Sequence, residues 1–206
     1  MLHVYQQVEF DLSMPEADRS TVRVSYDEKP GTQAIGATAS DLPPAPGKSS
    51  MWSRDYEYVR HGTVSLLAGL DLATGEVIGL VRERHTSSES IEFLKSLNGK
   101  YPESLRIQVI VDNHSAHTSN QTREYLETVP NRFEFVFTPV HASWLNIIES
   151  FFAKMTRQVL RNIQVSSKAE MVERLELYLR EVNEHPVRFR WTYSTPLATT
   201  NDKQVI

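Results

Sequence analysis

Residues 106–112 read RIQVIVD and residues 21–27 read TVRVSYD. The first is a nearly continuous apolar run, the mark of a central strand buried on both faces. The second is β-branched and aromatic, and it is followed by Pro30-Gly31, so it reads as a strand closed by a turn. Each ends in an aspartate. A charged residue at that point leaves the buried run and enters the crevice at the strand's end, the usual ligand site of an α/β sheet. If the two strands are neighbours, Asp27 and Asp112 lie close together. Two such carboxylates repel unless one takes a proton or a cation sits between them.

The remaining elements follow outward from this pair. VSLLAGLDL (64–72) and EVIGLVRER (76–84), joined by Ala73-Thr74-Gly75, read as a hairpin. Thr86 and Glu89 have capping-box spacing ahead of IEFLKSL, so a helix starts there. A polar amphipathic segment near 119–128 and a short strand, FEFVF (133–137), come after the second aspartate. Leu145, Ile148, Phe152, Met155 and Val159 keep helical steps of three and four. Ser167 and Glu170 form a second capping-box pattern before the stripe Met171, Leu175, Tyr178, Val182, and His185-Pro186 stops that helix. Three strands able to form a meander, then strands alternating with helices, predict an α/β domain with a mixed five-stranded sheet. Residues 30–62, rich in Pro, Gly, Ala and Ser, read as a long loop carrying Lys48, Arg54, Arg60 and His61. Residues 1–20 read as the tail of a linker or helix, and 21–206 as the domain.

The 206 residues are 40% hydrophobic and 23% charged, a globular composition. With no cysteine, a disulfide scaffold, a zinc ribbon and a thiol nucleophile are excluded. No apolar run approaches the roughly 20 residues of a membrane span, and the N-terminal residues lack a signal peptide's pattern. The net charge of −4 is not that of an obviously basic nucleic-acid binder, although an acidic site and a basic surface cancel in such a sum.

Glu149 is the third acid of interest. It sits in WLNIIESFF beside the apolar stripe, where an acid needs a partner. Taken singly, a strand-end Asp is a turn former and a first-turn Glu serves the helix dipole. Together, two matched aspartates and a bordering glutamate point to a metal site, and hard divalent cations such as magnesium prefer such oxygen ligands. Asp112, His114 and His117 do not make a hydrolase triad, since no G-x-S-x-G elbow is present. His114, His117 and His141 match no zinc spacing. His117 reads as a cap or hydrogen-bonding residue of the loop after the strand.

These residues resemble the catalytic domain of a DDE transposase, of the bacterial insertion-sequence branch of the mariner superfamily. The matching pieces are SYDEKPGTQA (25–34), YEYVRHGTVSLLAGLD (56–71), VIVDNHSAH (109–117), TPVHASWLNIIESFF (138–152) and HPVRFRWTY (185–193). The resemblance implies a ribonuclease-H-like fold and two magnesium ions, replaceable by manganese, held by Asp27, Asp112 and Glu149. Glu28 is a reserve ligand, although neighbours on a strand point to opposite faces. Asn113 and His117 are supporting residues of the second motif. Also implied are hydrolysis at transposon DNA ends, transfer of the freed 3′-hydroxyl into target DNA, action as a dimer or larger assembly on DNA, and a bacterial cytoplasmic location. Relatives carry an N-terminal helix-turn-helix region, absent here. Where many have Ser-Pro and Leu-Asn-Pro before the last acid, this chain has His141-Ala-Ser-Trp144-Leu-Asn-Ile147.

Residues 151–190 hold eight Lys and Arg against five Glu. Lys154, Arg157 and Arg161, following Glu149, are the first candidates for phosphate contacts, with Arg54 and Arg60 second. Trp144 is a candidate for base stacking or for the core. Two other readings stand beside the enzyme: an inactive remnant that binds DNA or assembles, and a nuclease of the same fold acting on RNA–DNA hybrids.

Overall fold

Alternation along β-strands decides what lies on each side of this sheet. The structure is a computed structural model that describes residues 2–15, 18–39, 42–53, 57–139 and 145–188. Its main elements are α1 (Leu2–Ser13), β1 (Thr21–Ala37), β2 (Tyr58–Asp71), β3 (Val77–Arg82), α2 (Ser87–Lys100), β4 (Arg106–Val111), α3 (Asn120–Thr128), β5 (Phe133–Phe137), α4 (Ile148–Gln158) and α5 (Lys168–Glu184). The strands form one sheet in the order β3-β2-β1-β4-β5. β1 is antiparallel to β2 and parallel to β4, so the sheet is mixed as expected. On one face, Val24, Tyr26, Leu67, Val109 and Val111 pack with Phe93, Leu94 and Leu97 of α2. On the other, Leu66, Ala68, Leu70 and Ile110 share a core with α1, α4 and α5.

Two expectations change. β1 does not stop at a Pro30-Gly31 turn; it continues along β2 to Ala37. Lys29 pairs with Leu66 and Thr32 with Val64, so Pro30 and Gly31 together face Ser65. The Pro-Gly pair is a bulge, where proline's missing N–H costs no ladder bond and Gly31 takes φ +64. The loop expected over 30–62 therefore loses 30–37 to β1 and 58–62 to β2, with Arg60 and His61 inside β2. Residues 2–13, read as linker or helix tail, form α1 and bury Val4, Tyr5 and Val8 in the core. Arg23 of β1 binds Asp11 and Gln7 of that helix and donates to Gln108 of β4 at 2.9 Å.

The helix starts follow their caps. At α2 the Thr86–Glu89 box closes in both directions. At α5 the Ser167 hydroxyl accepts from the Glu170 N–H, but the Glu170 carboxylate turns to Ser166 instead. None of the described helices is long and apolar enough to cross a membrane.

Candidate active site

β1 and β4 run side by side as far as Ser25 and Ile110 and then part. Asp27 and Asp112 stand just past this divergence. Asp27 is therefore not at a strand end, as the sequence suggests, because β1 goes on pairing with β2 through Asp27 and Ala68. Ser25 and Asp27 point to the α4 side of the sheet, where Ile110 is also buried. Glu149 lies in the first turn of α4.

A buried polar network clamps that helix start onto β1. The Asn146 amide donates to the Tyr26 carbonyl at 2.9 Å and accepts from the Ser25 hydroxyl. The Ser25 Oγ in turn accepts the Ile148 N–H at 3.0 Å, satisfying a helix-terminal donor from another element. Ser25, Tyr26 and Asn146 stand inside the matching stretches but are not among the candidate site residues. The signals for them are Asn146 three residues ahead of Glu149 and the two-residue step from Ser25 to Asp27.

The charge on Asp27 is shaped by burial and by the other acids. Burial pushes the Asp27 carboxyl up to about 7, opposed by the Glu28 N–H on its Oδ1 and reinforced by the negative charges of Asp112, Glu28 and Glu149. All the charges named are negative, which is the field a bound cation relieves. The donors are carboxylate oxygens, so the set fits a hard divalent ion.

Glu28 faces the other side of β1, as strand alternation requires. It accepts a hydrogen bond from the Tyr26 hydroxyl at 2.7 Å, and its Oε2 lies 3.9 Å from His117 Nε2. His117 is buried against Tyr26, with ring centroids 5.3 Å apart. Its Nε2 is 3.4 Å from Asp112 Oδ1 and makes no hydrogen bond among the described residues. Burial holds this imidazole below its ordinary pKa, while Glu28 and Asp112 act in the opposite direction. The loop-capping role expected of His117 falls instead to His114, whose side chain accepts from the Ala116 N–H and caps the 3₁₀ turn Ser115–Thr118. The Asn113 side chain donates to the Thr138 carbonyl at 2.8 Å, tying this loop to the end of β5.

The basic candidates do not gather on one face. Lys154 is five residues beyond Glu149, about 140° around the helix at 3.6 residues per turn. It lines a cleft of about 510 Å³ with Tyr178 and Glu181. Arg161 is not on α4, which ends at Gln158; it sits in the short 3₁₀ turn Leu160–Asn162. There it borders a groove of about 410 Å³ with Lys29 and Thr32. Arg157 is exposed in the last turn of α4. Arg60, on β2, lies over the Tyr58 ring at 5.3 Å. Arg54, His141, Trp144 and Arg190 lie outside the described residues.

The strand order, with helices on both faces and acids at the parting of β1 and β4, defines a ribonuclease-H-like domain. The chain belongs to the DDE superfamily endonucleases, whose family model matches residues 23–172. It is 28% identical over 121 residues to the insertion element IS630 uncharacterized 39 kDa protein of Shigella sonnei, covering 59% of this chain and 35% of that one. It is similar in fold to the Mos1 mariner paired end complex with Mn, at a TM-score of 0.55 and 18% identity over 85% of this chain and 53% of that one. The catalytic domain of Mos1 mariner transposase gives 0.50 at 17% identity, covering 85% and 78%. The chain thus spans about a third of the curated relative's length and about half of the longer mariner chain.

Proposed function

We propose that the chain is the catalytic domain of an insertion-sequence transposase, and that it cleaves and joins DNA with divalent metal ions held by Asp27, Asp112 and Glu149. The observation that carries this reading is the buried Asp27 where β1 leaves β4, its carboxyl raised to about 7 by burial first and then by the negative charges of Asp112, Glu28 and Glu149. When bound, a pair of magnesium or manganese ions activates water and stabilises the departing 3′-oxygen of an in-line displacement. In strand transfer the freed 3′-hydroxyl takes the place of that water. No covalent enzyme intermediate is needed, in keeping with a chain that has no cysteine.

The protein's own part is placement. The Glu28 N–H holds Asp27 Oδ1 at 2.8 Å and fixes its rotamer. The Ser25–Asn146 pair keeps Glu149 at the strand. The His114 N–H holds Asp112 Oδ1 at 2.9 Å. Arg157, Arg161, Lys154 and Arg60 contact DNA phosphates in this reading. Assembly on paired DNA ends and a bacterial cytoplasmic setting belong to it as well. The paired-end complexes formed by the Mos1 relatives support the first of these.

The test is divalent-dependent nicking of supercoiled plasmid and joining of pre-cut DNA ends. The expected result is cleavage with manganese or magnesium that Asp112→Ala abolishes. Salt-dependent DNA binding that survives Asp112→Ala, with no cleavage under any metal, would replace the enzyme by a binding or assembly module.

A further inference from the structure

On the side of β1 facing away from Asp27, Glu28, His114 and His117 offer one oxygen and two nitrogens within 4.8 Å of one another. We propose that these three residues form a second cation site, selective for a transition metal such as zinc and adjoining the carboxylate cluster at Asp112. Two imidazoles and one carboxylate, with a fourth position open to water, are a ligand set that zinc takes and magnesium does not. Imidazole donors also favour the later first-row metals. A second observation points to the same ion: among the described residues the buried His117 Nε2 makes no hydrogen bond, its facing oxygens being Asp112 Oδ1 at 3.4 Å and Glu28 Oε2 at 3.9 Å, and a metal bond satisfies it.

The surroundings suit a metal. The Tyr26 hydroxyl binds Glu28 Oε1 and orients the carboxylate, as an outer partner of a ligand does. The 3₁₀ turn fixes the histidine spacing, with the His117 N–H bonded to the His114 carbonyl at 3.1 Å. Glu28 and His117 are enclosed while His114 is exposed, so an ion enters from the His114 side. Metal–ligand bonds of about 2.0–2.2 Å require the donors to close to about 3.3 Å apart, a movement shared by the exposed His114 ring and by the Glu28 carboxylate, whose Oε2 stands 3.9 Å from His117 Nε2. An ion there lies beside Asp112, whose Oδ1 is 3.4 Å from His117 Nε2. Occupancy therefore opposes a second dication at Asp112, and zinc inhibits cleavage. This last clause rests on the proposed nuclease activity, whereas the binding claim does not.

The experiment is zinc titration of the 206-residue chain against a chromophoric chelator, in excess magnesium, with cobalt absorption as a second readout. One zinc per chain is expected. His114→Ala and Glu28→Gln each weaken it about 100-fold or more, through loss of a protein ligand, while Asp27→Asn leaves it unchanged. Zinc that magnesium displaces, or that Asp27→Asn releases and His114→Ala does not, overturns the proposal, as does the absence of binding at micromolar metal. If binding behaves as expected but the chain never cuts DNA, only the activity reading fails. If the chain cuts DNA without binding zinc, only this inference fails.

Discussion

Asp27 ties stability to pH. Its folded pKa of about 7 stands above the 3.8 of the unfolded chain, so between these values the native state holds a proton that the unfolded state has lost. Stability from this group is present at low pH and is lost as pH rises through about 7. At about 1.4 kcal/mol per pKa unit, the whole difference is at most about 4 kcal/mol. His117 has the opposite sign: its lowered pKa removes stability as pH falls below the ordinary imidazole value. In a comparison of the wild type with Asp27→Asn, the His117 contribution cancels. The metal-free variant should gain stability relative to wild type as pH goes from 5 to 8, measured by urea unfolding at each pH. Added magnesium should then raise the wild-type melting temperature at pH 8 and leave Asp27→Asn unmoved. A gap that does not change with pH would show that Asp27 is an ordinary surface acid. Asn146 gives a second prediction at this scale. Asn146→Ala strips the partners from a buried serine hydroxyl and a strand carbonyl, at a cost of about 1–3 kcal/mol. Cleavage should fall by more than tenfold in a protein whose circular dichroism is unchanged, because Glu149 loses its clamp; wild-type cleavage would dismiss the clamp.

The bulge at Pro30-Gly31 and the packing of α5 on β3 show what could be read from the chain and what could not. The central strands and the starts of α2 and α5 are legible, because apolar runs and capping residues are local signals. So are the two aspartates, since a charge ending an apolar run is visible without a structure. The continuation of β1 is not legible, because Pro-Gly marks a turn locally, and only the partner strand β2 converts it into a bulge. Likewise Ser25 and Asn146 look like ordinary polar residues until α4 docks beside β1. His114 and Glu28, on separate elements, meet only in the fold. Glycines along these elements separate backbone strain from packing. Gly31 has φ +64 and open space around a built Cβ, so Gly31→Ala costs only the left-handed conformation, about 1–2 kcal/mol. Gly79 has ordinary backbone, but a Cβ there runs into Leu179 Cδ1 of α5. Gly79→Val should therefore cost about 1–3 kcal/mol by overpacking, and Leu179→Ala should recover part of it. Denaturant midpoints of the three variants check both statements; no recovery in the double variant would mean that α5 does not carry the strain.

Across the whole molecule, α1 supports the acidic cluster from behind without contributing a carboxylate to it. The Tyr5 hydroxyl donates to the carbonyl of Leu145, the residue before Asn146, so the helix touches the segment that delivers Glu149. Val4, Tyr5 and Val8 lie in the same core as Ile147, Ile148 and Phe152. Arg23 binds α1 through Asp11 and Gln7 and reaches β4 through Gln108, so one half-buried cation links that helix to the two central strands. Truncating the ring in Tyr5→Ala removes both packing and the hydrogen bond and should cost about 3–5 kcal/mol, the range for large aromatic truncations in a core. Tyr5→Phe keeps the ring and should cost about 1 kcal/mol for the lost hydrogen bond. The more telling comparison is between stability and chemistry. Tyr5→Phe leaves the core filled but frees the Leu145 carbonyl, so cleavage should fall further than the change in unfolding free energy accounts for. A variant in which Val8→Ala lowers stability by a similar amount, one turn along the same buried face of the helix, should retain its cleavage rate under conditions where both proteins are folded. Equal activity losses in the two variants would mean that α1 acts on the cluster through global stability alone.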